Sequence, residues 1–250
     1  MGASFSGCFR AVAILLLLCG LSVVRAKAEE PGWVDLSKLD AWKTPTGAWQ
    51  VVGSVEPDAK NPKRLASTPG SGILVNGPIG RTTNLLSSVK FGDIEAHFEF
   101  FIPKKSNSGV KFEGFYEIQI SDSFGVKSPT GSDCGGIYPR AELLPIYRHI
   151  DEGHSPRTNA SRPAGEWQTL DVIFHAPRFD DKGKKIANAR FDKVVLNGQV
   201  VHENVEVDAP TGNVWRQKEV PQGPILLQAD HGPVAFRNIR VRPLSENASR

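Results

Sequence analysis

Along most of this 250-residue chain, apolar and polar residues alternate in short runs cut by Gly, Pro, Asn and Asp. That pattern predicts strands and turns. Strands are expected at 49–55, 73–76, 93–102, 109–112, 116–121, 168–177, 190–196, 199–207, 225–228 and 234–243. Between Val194-Val195-Leu196 and Val200-Val201, the pair Asn197-Gly198 predicts a tight hairpin, since both residues tolerate the positive φ of a type I′ turn. No window of a dozen residues sustains a helical period. Short strands in an uninterrupted series predict an all-β sandwich or jelly roll in one domain. Residues 123–162 are dense in Gly, Pro, Ser and charge, and predict a long loop over one face or rim, where function often resides. Asp180-Asp181-Lys182-Gly183-Lys184-Lys185 reads as a solvated turn.

The N-terminus departs from this pattern. Arg10 flanks an apolar run over 11–24, and Ala26-Lys27-Ala28 supplies a small-x-small cleavage pattern, so residues 1–28 predict a secretory signal. A helix needs about 20 apolar residues to span a bilayer, so the run is short for an anchor. The rival readings are an uncleaved anchor and, more weakly, a lipoprotein at Cys19. Cleavage after Ala28 would leave 29–250 as a single β domain, periplasmic or secreted, with no membrane association.

Composition then takes on a different meaning. The whole chain has 30 basic and 27 acidic side chains, a formal net charge of +3. Residues 1–28 hold Arg10, Arg25, Lys27 and no acid, so the remainder is electroneutral. A neutral domain with short basic clusters gives no nucleic-acid stripe. Cys8 and Cys19 would leave with the signal, so Cys134 has no disulfide partner within the mature domain and reads as a small apolar filler. Asn159-Ala160-Ser161 and Asn247-Ala248-Ser249 fit the glycosylation sequon. There is no G-x-S-x-G elbow, phosphate loop, dinucleotide fingerprint or H-E-x-x-H.

Candidate chemistry concentrates in three stretches. Strand side chains alternate between faces, so Glu117, Gln119 and Ser121 share one face while Tyr116, Ile118 and Ile120 take the other. Lys111 likewise opposes Val110 and Phe112. The apolar face predicts core. The polar face is either an ordinary solvated surface or a floor that hydrogen-bonds sugar hydroxyls and holds a general base. His231, in Asp230-His231-Gly232, lies in a turn between two predicted strands, as a surface residue or as an acid, base or metal ligand. The other histidines form no metal-binding spacing. Trp167 is either core or a platform for a pyranose ring, and Arg140 and Arg148 could reach over the face from the long loop.

In order, Asn107-Ser108-Gly109, Tyr116-Glu117-Ile118-Gln119 with Asp122, Cys134-Gly135-Gly136-Ile137-Tyr138, Arg162-Pro163-Ala164-Gly165-Glu166-Trp167, Ala176-Pro177-Arg178-Phe179-Asp180, Asn197-Gly198, Asp230-His231-Gly232 and Phe236-Arg237-Asn238-Ile239 resemble the 3-keto-disaccharide hydrolase domain of exported bacterial proteins. The resemblance runs from about Trp33 to Leu244, and the stretch 139–156 departs from the family pattern. It implies a concanavalin-like jelly roll with a concave sugar-binding face, and cleavage of 3-keto-glycosides or 3-keto-disaccharides by C2 proton abstraction and β-elimination. On this resemblance His231 is the expected base and Glu117 an alternative base or metal ligand. Gln119, Lys111, Arg140, Trp167 and Asp122 are expected substrate contacts. A divalent metal ion is a possible cofactor. The alternative functions are a non-catalytic carbohydrate-binding sandwich and a structural or interaction domain.

Overall fold

The computed structural model describes residues 1–2 and 32–244. Residues 3–28 of the expected signal, with Cys8 and Cys19, and the sequon at Asn247 lie outside the described residues. In chain order the strands are β1 (Val34–Asp35), β2 (Gln50–Pro57), β3 (Leu65–Val75), β4 (Leu85–Phe91), β5 (Ile94–Phe101), β6 (Asn107–Phe112), β7 (Tyr116–Ser121), β8 (Ala141–Glu142), β9 (Arg148–His149), β10 (Trp167–His175), β11 (Arg178–Phe179), β12 (Lys185–Ala187), β13 (Ala189–Leu196), β14 (Gln199–Val207), β15 (Gly223–Leu227) and β16 (Ala235–Pro243). A single 3-10 turn, Leu39–Ala41, is the helical element among them.

Two antiparallel sheets carry the architecture. The larger runs β14-β13-β10-β5-β16-β3-β2, with β1 added along β16, and the smaller runs β4-β15-β6-β7. Alternation decides which side of each is buried. In β5, Ile94, Ala96, Phe98 and Phe100 are buried while Glu95, His97 and Glu99 are partly exposed. The outward residues pair across strands, Glu95 with Arg242, His97 with Asp171 and Glu99 with Arg237. In the smaller sheet Val110, Phe112, Tyr116, Ile118 and Ile120 are fully buried. Phe112 bridges the layers, with its ring centroid 5.2 Å from Phe174, 5.4 Å from Phe191 and 6.3 Å from Phe98. Aromatic side chains bury the largest apolar area per residue. The result is the all-β jelly-roll sandwich the sequence predicts.

Several local expectations hold at residue level. Strands β7 and β14 have the predicted bounds, and Asn197 and Gly198 both adopt positive φ, 51° and 79°. Cys134 is free and buried, and burial pushes its thiol up to about 12. The sequon at Asn159 is engaged, its side-chain amide donating to the carbonyls of Ser123 and Val126.

The pattern underreports β3, which begins at Leu65 rather than near 73. Its middle, Ala66-Ser67-Thr68-Pro69-Gly70-Ser71-Gly72, lacks apolar alternation and is largely exposed. Register against β2 holds it in the sheet. Strand β4 has its core contact concentrated in Leu85 and Phe91 and is likewise not marked by alternation.

Candidate active site

The outward face of the smaller sheet floors a cleft of about 440 Å³. Register places its parts. Lys111 on β6 sits opposite Glu117 on β7 and, on its other side, opposite Leu226 on β15. One step along, Gly109 faces Gln119, and its carbonyl accepts from the backbone N–H of Gln228. Asn107 and Ser121 form the next pair, nearest the turn that carries Asp230 and His231. Lys111, Glu117, Gln119, Asn107, Gln228, Asp230 and His231 all line this one cleft. Four sequence-derived candidates are therefore gathered: His231, Glu117, Gln119 and Lys111.

The carboxylate of Glu117 is buried and fixed. Its Oε2 lies 3.0 Å from Lys111 Nζ, and its backbone N–H donates to Thr211 Oγ1 at 3.0 Å. The side chain folds back over β6, where residue 109 has no side chain. A Cβ on Gly109 would lie 2.2 Å from Glu117 Oε1 and 2.9 Å from its Cδ. Gly109 therefore makes room for the carboxylate. Beside it, Gln119 Nε2 donates to Asn107 Oδ1 at 3.4 Å. The Oε1 atoms of Gln119 and Gln228 are buried with no hydrogen-bond partner among the described residues. Buried acceptors without partners are costly, and in a cleft they suit a ligand that brings donors, such as sugar hydroxyls.

Segment 135–138 pairs with the edge of β7. Gly135 N–H donates to Gln119 O, Gln119 N–H to Gly136 O, and Tyr138 N–H to Glu117 O, at 2.8, 2.8 and 3.0 Å. His202 anchors it from the larger sheet through Gly135 O at 2.8 Å, and burial pushes that imidazole down to about 4. Tyr138 lines the cleft, and burial with the neighbouring Tyr147 hydroxyl pushes its phenol up.

His231 itself is exposed, but its turn is clamped. The side-chain amide of Asn76 donates to the carbonyls of Ala229 and Gly232, and its Oδ1 accepts from Val234 N–H, at 3.1, 2.9 and 2.8 Å. Ala229 N–H donates to Asn84 Oδ1 at 2.7 Å. Gly232 passes so close to β6 that a Cβ there would lie 2.5 Å from Ser106 Oγ. His231 Nδ1 is 2.7 Å from Asp230 Oδ1. The carboxylate accepts, so Nδ1 carries the hydrogen, and in the neutral ring Nε2 is left free to take a proton.

Three expected substrate contacts fall outside the lining of this cleft. Trp167 lies on the far side of the larger sheet, because its position in β10 alternates with the buried Gln168 and Leu170. There it packs on a second apolar cluster, 5.4 Å from Phe101, with Arg237 4.0 Å above its ring. Arg140 is tied to Asp151 at 2.5 Å and lies 3.8 Å from Asp208, lining a neighbouring depression. Asp122 accepts from Lys105 N–H at 2.8 Å and so fixes the turn into β6. Arg148 pairs with Glu142 at 2.8 Å.

Sequence reasoning missed Asn84, Asn107 and Gln228 as individual contacts, as well as Tyr138, Leu143, Tyr147 and Val214. Gln228 was legible in principle, since it shares a face with Leu226 on the strand register. Asn84 lies in a stretch with no strand signal.

A metal would need several hard or imidazole donors around one point. Among the described residues no group of three or more His, Cys, Asp or Glu side chains is so arranged. The cation that Glu117 faces is Lys111.

At the β6–β7 turn, Glu113 is buried, and neither carboxylate oxygen has a hydrogen-bond partner among the described residues. Burial, reinforced by Glu219, pushes its pKa up to about 8 from 4.5. Between those values the folded chain holds a proton that the unfolded chain has released, so stability falls as pH rises through that window and levels off above it. Glu113→Gln cannot ionise. It is expected to be more stable than the parent above pH 8, by at most about 5 kcal/mol, with little difference near pH 4. Urea midpoints across pH measure this, and parallel profiles for the two proteins would exclude it.

The outward face of the smaller sheet and the turn that follows β15 thus bring a carboxylate, an ammonium, amides and an Asp-oriented imidazole into one cleft. The sequence matches the model of the 3-keto-alpha-glucoside-1,2-lyase-like domain over residues 32–242, and the chain belongs to that family. The fold is similar to the crystal structure of a putative glycosyl hydrolase from Parabacteroides distasonis ATCC 8503, at 26% identity and a TM-score of 0.56, with 79% of each chain covered. A second protein of the same description from that organism is 20% identical, with a TM-score of 0.49 over 71% of this chain and 89% of that one. The comparison with curated proteins found no match. Among the described residues no helix is long and apolar enough to cross a membrane.

Proposed function

We propose that this protein cleaves 3-keto-glucosides by proton abstraction at C2 followed by β-elimination of the C1 substituent. The observation that carries the reading is the meeting of His231, Glu117, Lys111 and Gln119 in one cleft of a chain belonging to this family.

A ketone at C3 acidifies the hydrogen on C2. His231 Nε2 takes that proton, and the C2–H electron pair forms the C2–C3 enolate. Lys111, whose ammonium lies on the floor, stabilises the charge gathering on the C3 oxygen, the kind of preorganised electrostatic help that lowers such barriers most. The enolate then re-forms the ketone, a C1–C2 double bond forms, and the C1–O bond breaks. The leaving oxygen takes up a proton from water, and His231 Nε2 gives its proton up to solvent. Water adding across C1–C2 completes a net hydrolysis. Glu117 holds Lys111 in place and is the alternative base, while Gln119, Gln228 and Asn107 bind sugar hydroxyls. This chemistry differs from a pair of carboxylates flanking an oxocarbenium-like centre. The N-terminal segment supports an exported enzyme working in the periplasm or outside the cell.

Incubation with 3-keto-trehalose, followed by proton NMR, tests the assignment. Release of glucose well above the enzyme-free control is expected. Saturable binding without release would instead make the domain a carbohydrate-binding module.

A further inference from the structure

The cleft is chemically divided. At the His231 end its floor is polar, with Asn107, Gln119 and Gln228. Past Lys111 and Glu117 apolar side chains dominate, with Asn213 as the one side-chain amide among them. Leu226 faces Lys111 across β15, and Leu143, Tyr147 and Val214 line the cleft with it. Backbone pairing fixes this end beyond the Glu117 row. Tyr138 N–H donates to Glu117 O, Gly212 N–H to Pro139 O, and Ala141 N–H to Gly212 O.

Leu143 and Tyr147 belong to the hairpin of β8 and β9, whose tip is Leu143-Leu144-Pro145-Ile146-Tyr147. Four large apolar side chains there face solvent, with exposures of 55, 80, 72 and 51% for Leu143, Leu144, Ile146 and Tyr147. An exposed apolar cluster of this kind marks a binding surface. It is also held rigid. Glu142 joins Arg148 at 2.8 Å and Arg216 at 3.0 Å. The Tyr147 and Tyr138 hydroxyls lie 2.8 Å apart, and His149 Nε2 is 3.1 Å from Tyr138.

From this division we infer that the subsite for the C1 substituent accepts an apolar, aromatic aglycone, with Leu143 and Tyr147 as its specificity-determining residues. The inference rests on the reading that a 3-keto-glucoside occupies the cleft. A ring attached at C1 leaves the polar floor and meets Leu226, Val214 and the hairpin tip. A second sugar in the same place would set most of its hydroxyls against those side chains, with Asn213 the one amide there and the Tyr138 and Tyr147 hydroxyls already bonded to each other. The side chains lining that end include no carboxyl group to protonate a departing alkoxide. A phenol leaves as a stabilised anion and depends on such help far less.

The test compares the 3-keto derivative of 4-methoxyphenyl glucoside with 3-keto-trehalose. KM is measured in wild-type protein, and dissociation constants by calorimetry in His231→Ala. The aryl ketoside is expected to bind at least about 10-fold more tightly, in line with discrimination by apolar pockets. Leu143→Asp, at an exposed position that leaves folding undisturbed, is expected to shrink that ratio about 10-fold. Equal constants for the two ketosides, or a ratio untouched by Leu143→Asp, would overturn the inference while leaving the proposed reaction standing. If neither compound is turned over, the proposed reaction fails and the calorimetric ratio still decides the subsite. Conversion of a dimer to a monomer by Leu143→Asp, with the ratio unchanged, would assign the tip to a second copy of the chain and overturn the inference too.

Discussion

His231→Ala is expected to lower the rate of aglycone release from a 3-keto-glucoside by about 10²–10⁴-fold, the usual worth of a positioned general base. The protein should fold as before, because the imidazole is 55% exposed and its one recorded hydrogen bond is to the adjacent Asp230. The turn that presents it is held by Asn76, Asn84 and the close passage of Gly232 over Ser106, none of which the substitution touches. Substrate should still bind, since the acceptors of Gln119 and Gln228 remain. Measured by single-turnover kinetics with calorimetric binding alongside, the variant should therefore lose chemistry and keep affinity. A rate within threefold of wild type would remove His231 from the mechanism and move the base to Glu117.

The second large effect should come from a methyl group. In Gly109→Ala the new Cβ would meet the Glu117 carboxylate at 2.2 Å, so that side chain must swing away from Lys111. The carboxylate is the movable end of its side chain, and the backbone at 109 does not need positive φ. The fold should survive with a measurable loss of stability from the disrupted buried ion pair, while kcat falls about 100-fold through its displacement, as misplacements of about 1 Å in an active site do. Activity measured together with a urea titration separates the two. Unchanged kcat in a folded Gly109→Ala protein would mean that the placement of Glu117 and Lys111 is unimportant.

How far the sequence revealed this arrangement depends on where the information lies. The floor of the cleft was legible because β6 and β7 carry different chemistry on their two faces, so alternation alone separated Glu117, Gln119 and Lys111 from Val110, Phe112 and Ile118. His231 was legible because Asp-His-Gly stands in a turn between two clear strands. Arg140 was not, because its charge is satisfied by Asp151, within the long loop, and by Asp208, just past β14, partners that only the fold brings together. Trp167 misleads for a related reason. The extended β2–β3 hairpin supplies a second apolar cluster on the outer side of the larger sheet, and the Gly- and Ser-rich middle of β3 gives no warning of it. The apolar tip of the β8–β9 hairpin lies in the stretch that the sequence marks as a long loop, but the short strands that present it carry no alternation to reveal them.

The central claim is that the C2 hydrogen leaves during cleavage, and the position of solvent hydrogen in the product tests it most directly. A 3-keto-glucoside is incubated with the wild-type protein in D₂O, and the released 3-keto-sugar is analysed by NMR at early times against an enzyme-free control. Elimination followed by addition of water predicts deuterium at C2 in essentially every product molecule. Release of a 3-keto-sugar that retains its original hydrogen at C2 would contradict the account and point to direct displacement at C1.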